Sequence, residues 1–371
     1  MAATMLGVFA RREFRGLWTA ELLSTFGDQM ARVALSVLVY GRTGSALLTG
    51  VAYAATFVPT LISGMFLGRI ADRWPRRRVL IVADLVRAVL ASVMAIPGMA
   101  WAWLIGLIAV ITAIGPVFKA AQTAITAEVL PDESEFKLAQ GLRFGTVQLG
   151  QLGGFAVGGV IALSDPALGL LINAATFLAS AACLTLLRAR PTPDTGQGKA
   201  PSVRALVASS PVVRALLGVS LILVPLIVPE AVAVPLAYEL GEPSASGWIL
   251  AAAPLGSVVG VLPLRWPVLA ERDRQVMVPA AAAGGVPLLL CGLPLPLPLV
   301  VALLALSGGA LMVAMTVTTN LVTLAVPDRV RGAIGGLWNA VISITQGVGA
   351  ALGGAIAGAS TAAIWTGRAP S

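Results

Sequence analysis

The sequence predicts a bundle of α-helices that crosses a membrane many times, and three observations carry that expectation. Charge is scarce: Asp, Glu, Lys and Arg make up 11% of the 371 residues while 57% are apolar, whereas a soluble domain carries roughly a quarter charged residues. So much apolar side chain cannot be hidden inside a water-soluble globule of this size, which excludes a soluble enzyme. The apolar residues also come in continuous runs, as in 212–237 and 297–325, rather than in the alternating segments of about ten residues that build a β-barrel. Finally, histidine is absent. That removes Ser-His-Asp triads, Cys-His nucleophiles and histidine-held metals, so neither a catalytic centre, a metal site nor a cofactor is expected.

A helix needs about 20 apolar residues to cross the hydrocarbon core. On that measure spans fall at 16–40, 46–68, 79–97, 101–127, 138–163, 167–187, 212–237, 245–264, 276–292, 297–325 and 333–358. The first follows Arg11, Arg12 and Arg15 at full length, so no cleavable leader is expected. Loops that lead from an even span to an odd one, together with the N-terminus, hold nearly all of the basic residues. Only Arg42 and Arg368 fall on the other side, and Arg32, Arg87, Lys119 and Arg143 lie within spans. Because basic loops stay inside, the N-terminus is expected in the cytoplasm, with the chain multi-pass in the cell membrane. The net charge of +8 is then a topology code against the inner leaflet, and no nucleic-acid partner is expected. Cys183 and Cys291 both fall in apolar runs, as small buried thiols do. After Ala357 only fourteen residues follow, too few for a further crossing, so the C-terminus is expected outside or the chain is cut short.

The longest polar break, 188–211, contains Pro191, Pro193, Gly196, Gly198 and Pro201 and reads as a cytoplasmic linker. It separates a six-helix N-terminal bundle, 1–187, from a C-terminal bundle of about five helices, 212–371. The two halves repeat each other. Residues 141–162 (GLRFGTVQLGQLGGFAVGGVIA) align with 336–357 (GLWNAVISITQGVGAALGGAIA), matching Gly141 with Gly336, Gly154 with Gly349, and Gly158-Gly159 with Gly353-Gly354. Gly50 likewise matches Gly247, and Ala54-Ala55 matches Ala251-Ala252. Paired repeats of this kind build transporters, with the substrate path where the halves meet.

The loop after span two reads Gly68-Arg69-Ile70-Ala71-Asp72-Arg73-Trp74-Pro75-Arg76-Arg77-Arg78. It resembles the GxLaDRxGRRR signature of the major facilitator superfamily, with Pro75 in place of a glycine. The resemblance implies a two-bundle fold of that type with about 11 transmembrane helices, a twelfth being absent. It also implies a cytoplasmic latch at Gly68, Asp72, Arg73, Arg76 and Arg77. In span five, Gly141, Gly150, Gly154, Gly158 and Gly159 are similar to the antiporter motif of the superfamily's drug exporters, with Phe155 where a proline is usual. Gly27-Asp28, Thr43-Gly44-Ser45-Ala46, Pro59 and Asp84-x-x-Arg87 resemble the bacterial branch of macrolide and siderophore exporters, which implies the cytoplasmic membrane of a bacterium. Matching the superfamily's cavity-lining helices offers Gln122, Thr319 and Asn320 as substrate contacts, with Trp338, Asn339 and Gln346 lining the meeting of the bundles.

A charge in mid-membrane costs about 2.5–3.5 kcal/mol on insertion scales, so each needs a partner or a wet cavity. The candidates for proton coupling or paired charge are Asp28 with Arg32, Asp84 with Arg87, Lys119 and Glu230. Asp84 with Arg87 suits a neutralising lock between helices equally well. Glu230, with no basic residue within a turn, is the better proton carrier; Asp28 is the better substrate or gating anion. The expected function is export of small lipophilic molecules, as in multidrug efflux, by a monomeric antiporter using alternating access and the proton gradient. Import of a small solute and a non-transporting or accessory role stay open.

Overall fold

The computed structural model describes residues 5–57, 59, 60, 63, 74–190, 214, 224–260, 279, 283–288, 290, 291, 293, 295–325 and 341–358. Among them every regular element is helical. After a short helix, Met5–Ala10, come α1 (Arg12–Thr43), α2 (Ala46–Ala54), α3 (Arg76–Met94), α4 (Trp101–Val129), α5 (Glu133–Ser164) and α6 (Pro166–Leu184). The later helices are α7 (Val224–Glu239), α8 (Ser246–Gly260), α9 (Leu297–Ala325) and α10 (Val341–Gly358). Helices α1–α8 fall on spans one to eight, and α9 and α10 on spans ten and eleven. Six of the described helices, α1, α4, α5, α6, α9 and α10, are long and apolar enough to cross a membrane.

Local chemistry sets the ends. Gly44, at φ +60°, makes the sharp turn that a side chain would resist, and Ser45 Oγ then accepts from Leu48 N at 3.2 Å to start α2. Pro75 precedes α3, and its carbonyl accepts from Arg78 and Val79 N at 2.8 and 3.1 Å. A proline lacks only a donor, so it serves there as well as the usual glycine. Asp132 Oδ1 accepts from Ser134 and Glu135 N at 2.9 and 3.1 Å, capping α5. These hydrogen bonds, that from the Ser134 hydroxyl first, hold its carboxyl below the usual range. Asp165 Oδ1 caps α6 through Ala167 N at 2.9 Å, and Pro166 fills the first helical position.

The chain divides into two compact units. The first comprises Met1–Leu38 and Val58–Gly196; the second comprises Val39–Phe57 and Gln197–Ser371. In the first unit α1 is central: from Gly16 to Tyr40 none of its residues is exposed. Helix α5 lies on it through glycines four apart. A Cβ on Gly154 would sit 2.5 Å from Phe26 O, and one on Gly158 2.9 Å from Met30 Cα. Gly27 of α1 turns the same trick on α6, where Asn173 and Thr176 leave no room for a methyl group. Close approach of backbones is what small residues supply where lipid removes the hydrophobic drive between helices. Phe155, at the position of the usual proline, is fully buried and α5 runs unbroken through it.

Helix α3 shows how the bundle meets lipid. Between Arg78 and Ser92, near its two ends, its exposed side chains are Val82, Leu85, Val86 and Val89, while Asp84 and Arg87 point inward at 0 and 5% exposure. The stripe is apolar outside and charged inside, the reverse of a soluble helix.

In the second unit α8 and α9 cross on glycines: a Cβ on Gly260 would meet Gly309 O at 2.5 Å, and Gly308 abuts Ala253. Helix α2 packs there too. A Cβ on Gly50 would lie 2.8 Å from Gly354 Cα of α10, and Tyr53, Ala54 and Phe57 form a cluster with Ala231 of α7 and Ala350 of α10. These contacts explain why residues 39–57 group with the C-terminal half.

Candidate functional site

Helices α1, α4 and α5 of the first unit hold a charged network in the membrane-spanning region. Glu21 of α1 and Arg143 of α5 form a two-pronged pair, Nε to Oε2 at 2.7 Å and Nη2 to Oε1 at 3.0 Å. Arg143 Nη2 also donates to Gln122 Oε1 of α4 at 3.0 Å, and Nη1 donates to Gln140 Oε1 at 2.9 Å. The planar guanidinium suits this, since its donors leave in fixed directions that match a carboxylate and two amides at once. Beside the network Trp18 Nε1 donates to Thr146 Oγ1 at 2.6 Å. Gln122, expected as a substrate contact, is thus buried at 1% exposure and orients Arg143.

In its second half α4 leaves open a different stripe: Lys119, Ala120, Thr123 and Ala127 are exposed. The exposed stripe of α3 carries Val and Leu instead. A stripe of small and polar residues with a lysine at its head is costly to set in lipid, because the charge needs a partner or water. Lys119 feels Glu21, Arg32, Arg143 and Asp28, and Asp28 feels Arg87, Arg32 and Lys119. Asp28 and Arg32 are each half-buried on α1.

Asp84 and Arg87 are a lock. Their closest atoms are 3.5 Å apart, Ser180 Oγ of α6 donates to Asp84 Oδ2 at 2.6 Å, and the guanidinium lies 5.0 and 5.5 Å from the rings of Phe118 and Phe177. Helices α3, α4 and α6 are joined at one buried point.

At the end of the first unit that carries the basic loops, four arginines are held by other groups. Arg76 pairs with Glu128, Arg77 Nη2 donates to Thr185 O at 2.9 Å, Arg11 pairs with Glu135 at 2.7 Å and Arg190 with Glu13 at 2.8 Å. Gly68, Asp72 and Arg73 of the expected latch lie outside the described residues, as do Trp338 and Asn339. Thr319 and Asn320 lie on α9, and Gln346 is half-buried on α10. Of the glycine set, Gly150, Gly154, Gly158 and Gly159 are buried in α5, while Gly141 is exposed with open space beside it.

In the second unit Glu230 of α7 accepts from the Tyr53 hydroxyl of α2 at 2.7 Å. In the same unit the rings of Tyr40 and Tyr238 meet at 5.1 Å between centroids.

Sequence reading missed Glu21, Glu13, Glu128, Glu135 and Tyr53. Glu21 and Arg143 had a signal: each is an ion inside an apolar span, and each needs the other. Tyr53 had none, for a hydroxyl costs too little to demand a partner.

Comparison with known proteins agrees with this architecture. The chain is 25% identical to the multidrug efflux pump Tap of Mycolicibacterium fortuitum over 362 residues, covering 92% of this chain and 88% of that protein. It is 28% identical to macrolide efflux protein A of Streptococcus pyogenes over 131 residues, 34% of this chain and 32% of that one. A solved structure of peptide transporter POT in complex with sulfate superposes with a TM-score of 0.68 at 15% identity, covering 98% of this chain and 96% of that one. The family model for the Major Facilitator Superfamily matches residues 17–229 and 222–367. With a fold, an internal repeat and a family model that all agree, the chain belongs to the Major Facilitator Superfamily, multi-pass membrane transporters of small molecules rather than enzymes.

Proposed function

We propose that this transporter exports small lipophilic molecules across the cytoplasmic membrane of a bacterium, exchanging them for protons by alternating access, with its N-terminus in the cytoplasm and one chain as the working unit. Similarity to Tap along nearly the whole chain supports export. The observation that carries the reading is the wall of α4, small and polar around Lys119, facing the ions of a helix that has no exposed residue from Gly16 to Tyr40. Ions are kept in a helix so buried only where they serve transport or where they are paired.

Glu230 is the proton carrier in this reading. The bond from Tyr53 ties the carboxylate to α2, so a change of protonation there changes what holds α2 to α7. The test is uptake of a lipophilic dye into proteoliposomes under an imposed pH gradient. Accumulation should follow the gradient in the wild type, and Glu230→Gln should reduce it at least tenfold while exchange of dye for dye persists. Tyr53→Phe, which removes a hydrogen bond to a charged group worth about 1.5–3 kcal/mol, should shift the pH dependence and leave transport intact. Full pH-driven transport in Glu230→Gln would sink the assignment, and indifference of the wild type to every gradient would sink export by antiport.

A further inference from the structure

The ions of the first unit do not all find partners. Glu21 is taken by Arg143 and Asp84 by Arg87. Asp28 is left, with Arg32 and Lys119 both close enough to act on it. Lys119 and Asp28 each make no hydrogen bond and no ion pair within 4.0 Å among the described residues. Lys119 heads the exposed stripe of α4 and has Ala120 and Thr123 beside it, neither of which competes for an ammonium group. An unengaged cation on a wall otherwise small and neutral asks for a negative group from outside the protein.

We infer that this face binds an amphiphile bearing an acidic group, a carboxylate, sulfonate or phosphate, whose anion sits on Lys119 while its apolar body lies along Ala120, Thr123 and Ala127. The assignment rests on the transport reading above only for what happens after binding. Asp28 then disfavours a second negative group on the ligand, so a monoanion is preferred to a dianion.

The experiment measures equilibrium binding of two fluorescent dyes of the same skeleton, one a free carboxylic acid and the other its methyl ester, to the purified full chain in neutral detergent. The wild type should bind the acid about tenfold tighter or more, the scale of one hydrogen bond between charged groups. Lys119→Met should bring the two dyes to equal affinity, leaving ester binding unchanged. Lys119→Arg should keep the preference, which shows that charge rather than folding decides it. Displacement of the acid by short-chain phosphatidylglycerol, but not by the same dye's ester, would assign the acidic group to a lipid headgroup; resistance to that lipid would assign it to a soluble amphiphile. Equal affinity for both dyes in the wild type, or an undiminished acid preference in Lys119→Met, overturns the proposal. The pH-gradient assay answers separately: flux without acid preference removes this site and keeps the exporter, whereas acid preference without flux keeps the site and removes the exporter.

Discussion

Two helix pairs at matching places in the repeat have the same packing and different chemistry. Gly158 of α5 lies against α1, where its Cβ would come within 2.9 Å of Met30 Cα. Its counterpart Gly353 of α10 lies against α7, where its Cβ would come within 2.9 Å of Val228 Cγ1. Met30 and Val228 therefore hold equivalent positions, and two residues further on come Arg32 in one helix and Glu230 in the other. Helix α1 carries Glu21, Asp28 and Arg32; α7, between its ends, carries Glu230 alone. The repeat has kept what packing demands, a glycine where two backbones touch, and has let the ions diverge. Packing tolerates no extra atom at such a contact, while a charge can move to any position that finds a partner or water.

Breaking the Glu21–Arg143 ion pair of the first repeat should have the largest effect. Arg143→Met leaves Glu21 at 7% exposure without its cation, and removing one partner of a buried pair costs about 3–5 kcal/mol. The thermal midpoint in detergent should fall sharply. The double change Glu21→Gln with Arg143→Gln should recover most of the loss, because neither residue is then charged. A double variant no more stable than the single one would mean that the pair does not act as a unit.

The glycine contact shared by both repeats comes next. Gly158→Val drives a side chain into Met30 Cα and Val33 Cγ2, and forcing atoms into a packed contact costs about 1–3 kcal/mol. Gly353→Val, which meets Val228, should cost a similar amount if the two contacts are equivalent. Gly141→Ala, with nothing within 4 Å of its Cβ, should instead stabilise by up to about 1 kcal/mol from helix propensity. Unequal losses at Gly158 and Gly353, read as thermal midpoints, would show that the repeat is conserved in sequence more than in packing.

The smallest effect is expected at Asp132, the cap of α5. Its carboxyl is held below the ordinary range in the folded chain, so the stabilisation is present above the unfolded pKa and is lost as pH falls through the folded one. The gap in thermal midpoint between the wild type and Asp132→Ala should close as the pH is taken down through the carboxylate range. A gap independent of pH would assign the effect to something other than the charged cap.

Much of this was legible before any coordinates. Helix positions follow from apolar runs, because lipid forces every backbone hydrogen bond inside its own segment, and α1 through α8 fall on the spans read from sequence. Asp84 and Arg87 were legible as a lock because one helical turn brings them together. Arg143 lies 122 residues from Glu21, and no local rule connects them. Gln122 was read as facing the substrate, yet the structure turns it toward Arg143.

The sequence by itself determined that the chain lives in lipid, where it crosses, that it repeats, and which residues are too costly to be idle, since all of these depend on transfer free energy summed along short windows. Only the tertiary structure decided which ion meets which, that Tyr53 holds Glu230, and that Lys119 is left open on α4. Those outcomes depend on how helices distant in the chain rotate against one another, and that rotation is set by where the glycines let two backbones touch.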